Sequence, residues 1–80
     1  MKLKYIEHRD AYRFLLVFEN GETQEADLKE LIGDYVSVDA LNTAHIDADW
    51  GCLEFNDGRV DIEPKTLYQF VTGKCYEAAA

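Results

Sequence analysis

Apolar and polar residues alternate with a period of two through much of this chain, interrupted by turn signals. Residues 12–19, YRFLLVFE, put Tyr12, Phe14, Leu16 and Phe18 on one face and Arg13, Leu15, Val17 and Glu19 on the other. Apolar side chains on both faces in the middle of that run predict a central strand. Residues 3–8, LKYIEH, read as a neighbouring strand, with Leu3 and Tyr5 on one face and Lys4, Ile6 and His8 on the other. Asn20-Gly21 follows the central run. It predicts a hairpin through a type I′ turn, which needs positive φ at both positions, with residues 22–26 as the returning strand. Asp27 then starts a short helix, with Asp27-x-x-Glu30 as a capping-box-like pair. Leu28, Leu31 and Ile32 form its buried stripe and Gly33 a left-handed C-cap.

The second half repeats this order. Residues 34–43 predict a loop with one helical turn. Residues 44–50, AHIDADW, alternate as Ala44, Ile46, Ala48 and Trp50 against His45, Asp47 and Asp49, which predicts a half-buried strand. Residues 52–55 form a further strand in which Cys52 is expected to face the core. Asn56-Asp57-Gly58 predicts a left-handed turn, and Val60 and Ile62 face inward on the return. Pro64 fits the first position of a helix, where its missing N–H has no partner to lose. Leu67, Tyr68 and Val71 make its apolar stripe, Gly73 ends it, and Tyr76 adds to an aromatic-rich C-terminal segment.

The expected class is α+β: two pseudo-repeated β-β-β-α halves, antiparallel hairpins packed with short helices around one small core. Neither half buries its own apolar face, because a hairpin and one short helix are too little. The repeat is therefore explained as core building. Eighty residues allow one domain, 1–80, with no linker or low-complexity boundary.

Charge changes the picture more than composition does. The net charge is −8. Residues 1–13 are net +2, with Lys2, Lys4, Arg9 and Arg13 against Glu7 and Asp10. Residues 19–39 carry seven acids against Lys29, and residues 47–63 carry six against Arg59. Two acidic blocks thus coincide with the two repeats. They disfavour direct nucleic-acid binding and anionic membranes, since phosphate contacts dominate those affinities. No long apolar stretch or signal-like segment marks a membrane span. Cys52 and Cys75 show neither CxxC nor zinc spacing, which points to a reducing, cytoplasmic compartment.

Candidate chemistry is thin. His45, Asp47 and Asp49 share one face of the expected strand, yet side chains two residues apart on a strand are about 7 Å apart, too spread for one ion. A calcium loop starting at Asp47 fails where Gly51, Cys52 and Gly58 stand. Ser37 is the only serine and has no nucleophile context. Each glycine is accounted for by a turn or cap, so no phosphate cradle remains. No cofactor, metal or catalytic residue is expected.

The segments YRFLLVFENGE, ADLKELI and IDADWGCLEFNDGRVDIEPKTLY resemble the small bacterial domain-of-unknown-function family 2442, over most of residues 5–70. The resemblance implies a compact α+β fold with small mixed sheets. It implies no activity and no catalytic residues. Some relatives add a C-terminal helix-turn-helix, for which too few residues follow here, and some sit in toxin–antitoxin-like arrangements. In the second hairpin the family pattern leads to a Trp-Pro-Asn-Gly type turn, whereas this chain has Phe55-Asn56-Asp57-Gly58.

The reading is a small acidic, non-catalytic protein-interaction or regulatory module that binds a protein partner or a second copy of itself. The alternative is an acidic, nucleic-acid-mimicking inhibitor or antitoxin-like protein that binds a basic partner. The expected interaction residues are Glu22, Glu25, Asp27, Asp47, Asp49 and Trp50, Trp50 as a surface anchor because interfaces enrich tryptophan.

Overall fold

The computed structural model describes residues 2–73; Cys75 and Tyr76 lie outside them. The fold is a small α+β arrangement of two three-stranded antiparallel sheets and short helices. The first sheet has the order β1 (Leu3–His8), β2 (Arg13–Phe18), β3 (Thr23–Asp27). A one-turn helix α1 (Lys29–Ile32) and a 3-10 segment (Val38–Thr43) lead to the second sheet, β4 (His45–Ile46), β5 (Leu53–Phe55), β6 (Val60–Ile62). Helix α2 (Pro64–Thr72) follows. The strands of the second sheet are about half as long as those of the first, so the two halves differ in size although their element order matches.

The period-two pattern of β2 is realised: Tyr12, Phe14, Leu16 and Phe18 are buried, while Leu15 and Val17 are half-buried on the outer face. β2 is the central strand, as its two apolar faces require. The inner faces meet side chain to side chain. Phe14 lies edge-on to Phe55 of β5 at 6.0 Å, and Phe18 lies edge-on to Tyr68 of α2 at 5.3 Å. Such aromatic pairs add about 0.5–1.5 kcal/mol each beyond their area burial. Leu28, Ile32, Val36, Leu41, Leu53 and Leu67 complete the core.

Several local expectations are corrected. In β1, Leu3 pairs with Phe18 but Tyr5 pairs with Val17, so Lys4 is an extra residue in a bulge. A bulge reverses the side-chain parity beyond it. Leu3 and Ile6 therefore turn inward, and Tyr5 is 51% exposed. At the β2–β3 turn, only Gly21 has positive φ (93°), and Asn20 does not. The Phe18 N–H donates to the Glu22 carbonyl and the Gly21 N–H to the Phe18 carbonyl, both at 2.9 Å. That is a three-residue loop with a left-handed glycine, not a two-residue type I′ turn. Asn20 acts through its side chain, whose Oδ1 accepts the Glu22 N–H at 3.0 Å. The β5–β6 turn does use the left-handed geometry, with φ of 55°, 57° and 87° at Asn56, Asp57 and Gly58.

Gly33 is not a left-handed cap. Its φ is −60°, because the chain continues right-handed and the Tyr35 and Val36 N–H groups both donate to the Ile32 carbonyl. Asp27 sits at the end of β3, where its Oδ1 accepts the Lys29 N–H at 2.9 Å; no reciprocal bond from Glu30 completes a capping box. At the second helix, Pro64 and Gly73 behave as read, Gly73 with φ of 72°.

Residues 44–50 form a strand only at His45–Ile46. The Asp47 carboxylate accepts the Trp50 N–H at 3.0 Å and its carbonyl accepts the Gly51 N–H at 2.8 Å, so the chain reverses there. Local side-chain-to-backbone bonding competes with the ladder, and Ala48, Asp49 and Trp50 are left exposed.

Tyr12 carries a long-range tie. Its buried hydroxyl donates to the Val36 carbonyl at 2.7 Å, joining the start of β2 to the loop after α1. Tyr12→Phe removes that donor and leaves a buried acceptor unpaired. The expected loss is about 1–2 kcal/mol of unfolding free energy in urea titrations; a loss indistinguishable from zero contradicts it.

Candidate functional site

The outer face of the second sheet follows from the parity of its strands. Leu53, Phe55 and Ile62 point inward, so Cys52, Glu54, Asp61 and Glu63 take the other side. Glu54 is directly opposite Asp61 in the β5–β6 register, and His45 is directly opposite Glu54 in the β4–β5 register. Like charges facing each other across a pair of strands are destabilising. His45 stands on the other side of Glu54: its Nε2 lies 2.9 Å from Glu54 Oε1 and its Nδ1 lies 3.1 Å from the Thr43 carbonyl. The Thr43 carbonyl does most to hold the His45 pKa above its ordinary value; desolvation is the next effect and opposes it, and Glu54 and then Asp57 add to the rise.

This face forms an open recess of about 700 Å³, lined by Asp47, Cys52, Glu54, Asp61 and Glu63, with Lys2, Trp50, Pro64 and Lys65 around it. Trp50 is 74% exposed. Cys52 is half-buried in the recess rather than directed into the core. Partial burial, then the negative field of Asp61, Asp47, Glu54 and Glu63, push its thiol pKa up. A thiol held in its protonated form is a poor nucleophile and a poor ligand. Among the described residues, no group of three or more His, Cys, Asp or Glu side chains is placed to hold a metal ion. No helix among them is long and apolar enough to cross a membrane.

A family model described as a protein of unknown function, DUF2442, matches residues 4–73. The chain belongs to the DUF2442 family. No curated protein and no solved structure matches it. The resemblance in the strand and helix segments thus extends across nearly all of the described chain; the α+β class it implied is observed, but the mixed sheets it implied are not, since every strand pair is antiparallel.

The DUF2442 fold separates the six expected interaction residues into two groups. Glu22, Glu25 and Asp27 lie on or beside β3, but not on one face. Glu22 turns toward α2, where a hydrogen bond to it raises the Tyr68 pKa, and it also accepts from Asn20 Nδ2 at 3.2 Å. Glu25 is ion-paired with Arg13 at 2.9 Å and with Arg9 at 3.8 Å. Asp27 is engaged by the Lys29 N–H. Asp47, Asp49 and Trp50 lie together in the β4–β5 turn, and Asp47 and Trp50 reach the recess. Sequence reasoning missed Glu54, Asp61 and Glu63. The signal was present in the alternation of Leu53 and Phe55, and of Val60 and Ile62, whose polar neighbours must share the opposite face.

Proposed function

We propose that this DUF2442 protein is a small non-catalytic interaction or regulatory module of the cytoplasm that holds a basic protein partner on the outer face of its second sheet. The observation that carries this reading is the recess there: Asp47, Glu54, Asp61 and Glu63 converge beside a tryptophan that is 74% exposed. An exposed indole next to carboxylates suits an arginine- or lysine-bearing surface, through stacking and cation–π attraction combined with charge pairing. The shifted Cys52 thiol offers no activated nucleophile, which favours binding over catalysis. The β3 acids contribute less, since Glu22, Glu25 and Asp27 are engaged within the fold. An acidic inhibitor that occupies the nucleic-acid groove of its partner takes support from the same four carboxylates. It differs in one outcome: excess DNA or RNA displaces it.

The test compares capture from host lysate by the wild type and by Trp50→Ala with Asp61→Lys. The wild type is expected to retain a basic protein that the double variant loses, with affinity falling as salt rises. Trp50→Ala alone is expected to weaken binding about 30-fold, the equivalent of an anchor worth about 2 kcal/mol. Equal capture by both proteins, or binding indifferent to salt, removes this reading.

A further inference from the structure

We propose that His45 is a proton-dependent latch tying the second sheet to the 3-10 segment, closed when the imidazole carries both protons. The geometry of the two ring nitrogens is the basis. Nδ1 faces the Thr43 carbonyl at 3.1 Å and Nε2 faces Glu54 Oε1 at 2.9 Å. Both partners only accept, so both nitrogens must donate, and only the imidazolium does that. A neutral ring gives up one of the two bonds.

Each partner belongs to a different element. Thr43 ends the 3-10 segment and is a hub: its Oγ1 donates to the Ala40 carbonyl at 2.6 Å and accepts the Asn56 N–H at 2.9 Å. Glu54 sits on β5, opposite Asp61 of β6. The charged groups that act on the ring are acidic: Glu54 from β5 and Asp57 from the β5–β6 turn. The 3-10 segment presents only the neutral Thr43 carbonyl. The latch therefore joins the segment, β4, β5 and the turn at Asn56, and its cation offsets the Glu54–Asp61 repulsion. The latch shares Glu54 with the recess, and its test needs no partner.

The sign follows from the direction of the shift. A folded-state pKa above the unfolded value, about 6.5, means the contribution is fully present below that value. It is lost as the pH rises through the folded-state value.

The experiment is an NMR titration of the full chain across the imidazole range, following the His45 ring and the Asn56 amide. Both are expected to move with one midpoint above about 6.5, and Glu54→Gln is expected to lower it. In parallel, urea midpoints of wild type and His45→Gln are expected to differ most in mild acid and to converge as the pH passes the His45 midpoint. A His45 midpoint at or below about 6.5 overturns the latch. So does a midpoint unmoved by Glu54→Gln, or a stability difference that does not change with pH. The wild-type titration decides the question even if a variant fails to fold.

Discussion

Phe14→Ala is expected to bring the protein close to unfolding at ambient temperature. Phe14 is fully buried near the start of β2. Its ring meets Phe55 edge-on at 6.0 Å and stacks against His8 at 4.8 Å, so it joins the first sheet to the second and supports the end of β1. Replacement by alanine removes those contacts and leaves a cavity that the surrounding strands cannot fully close. Such changes cost about 3–5 kcal/mol. A small domain has on the order of 5–15 kcal/mol in all, and one of this length belongs at the lower end. The melting temperature is expected to fall by on the order of 20 °C, read by circular dichroism. Leu15→Ala, one residue along and on the half-buried outer face, is the matched control and is expected to cost much less. Equal losses at the two positions contradict the assignment of faces in β2.

Gly51→Ala is expected to be the most damaging glycine substitution, for a reason that backbone preference alone does not supply. Gly51 has φ of 72°, which costs an L-residue about 1 kcal/mol. A Cβ at this position also collides with Lys2 Cβ and comes within 2.9 Å of Lys2 Cα. Lys2 is held by backbone bonds on both sides: its carbonyl accepts the Glu19 N–H, and the next residue, Leu3, donates to the Gly51 carbonyl at 3.1 Å. Alanine must therefore push β1 away from the β4–β5 turn and break the bond that joins the two sheets there. A total loss of about 3 kcal/mol or more is expected, combining positive-φ strain with overpacking. Gly21→Ala provides the comparison. Its φ is 93°, yet nothing lies within 4 Å of the added Cβ, so only the backbone strain remains. Urea unfolding of the two variants separates the effects. A Gly51→Ala loss no larger than that of Gly21→Ala rules out the close approach of Lys2.

The features legible in the sequence share one property: each depends on a few neighbouring residues. The parity of β2, the positive-φ turn at Asn56-Asp57-Gly58, Pro64 at the start of α2 and Gly73 at its end are decided by sterics and hydrogen bonds within about one turn of chain. The misreadings have a common origin as well. The strand expected over 44–50 followed from alternation alone, but the Asp47 side chain offers the backbone a competing set of bonds. The placing of Leu3 and Tyr5 on one face followed from an unbroken period, which the bulge at Lys4 shifts by one residue. Of the site, Asp47 and Trp50 were found from composition and position. Glu54 and Asp61 were hidden because neither is distinctive until β5 and β6 are in register.

Hydrophobic period, turn residues and caps are local properties, so the residues alone specify a small acidic α+β fold built from two hairpin-and-helix segments. Tertiary structure decided which acids remain available. Glu25 pairs across strands with Arg13, Glu22 reaches Tyr68 of α2, and strand register sets Glu54 beside His45 and Asp61. It also decided where the sheets join, at Leu3 and Gly51, nearly fifty residues apart in the chain. Contacts at that separation depend on how two apolar faces fit together, and no local pattern encodes that fit.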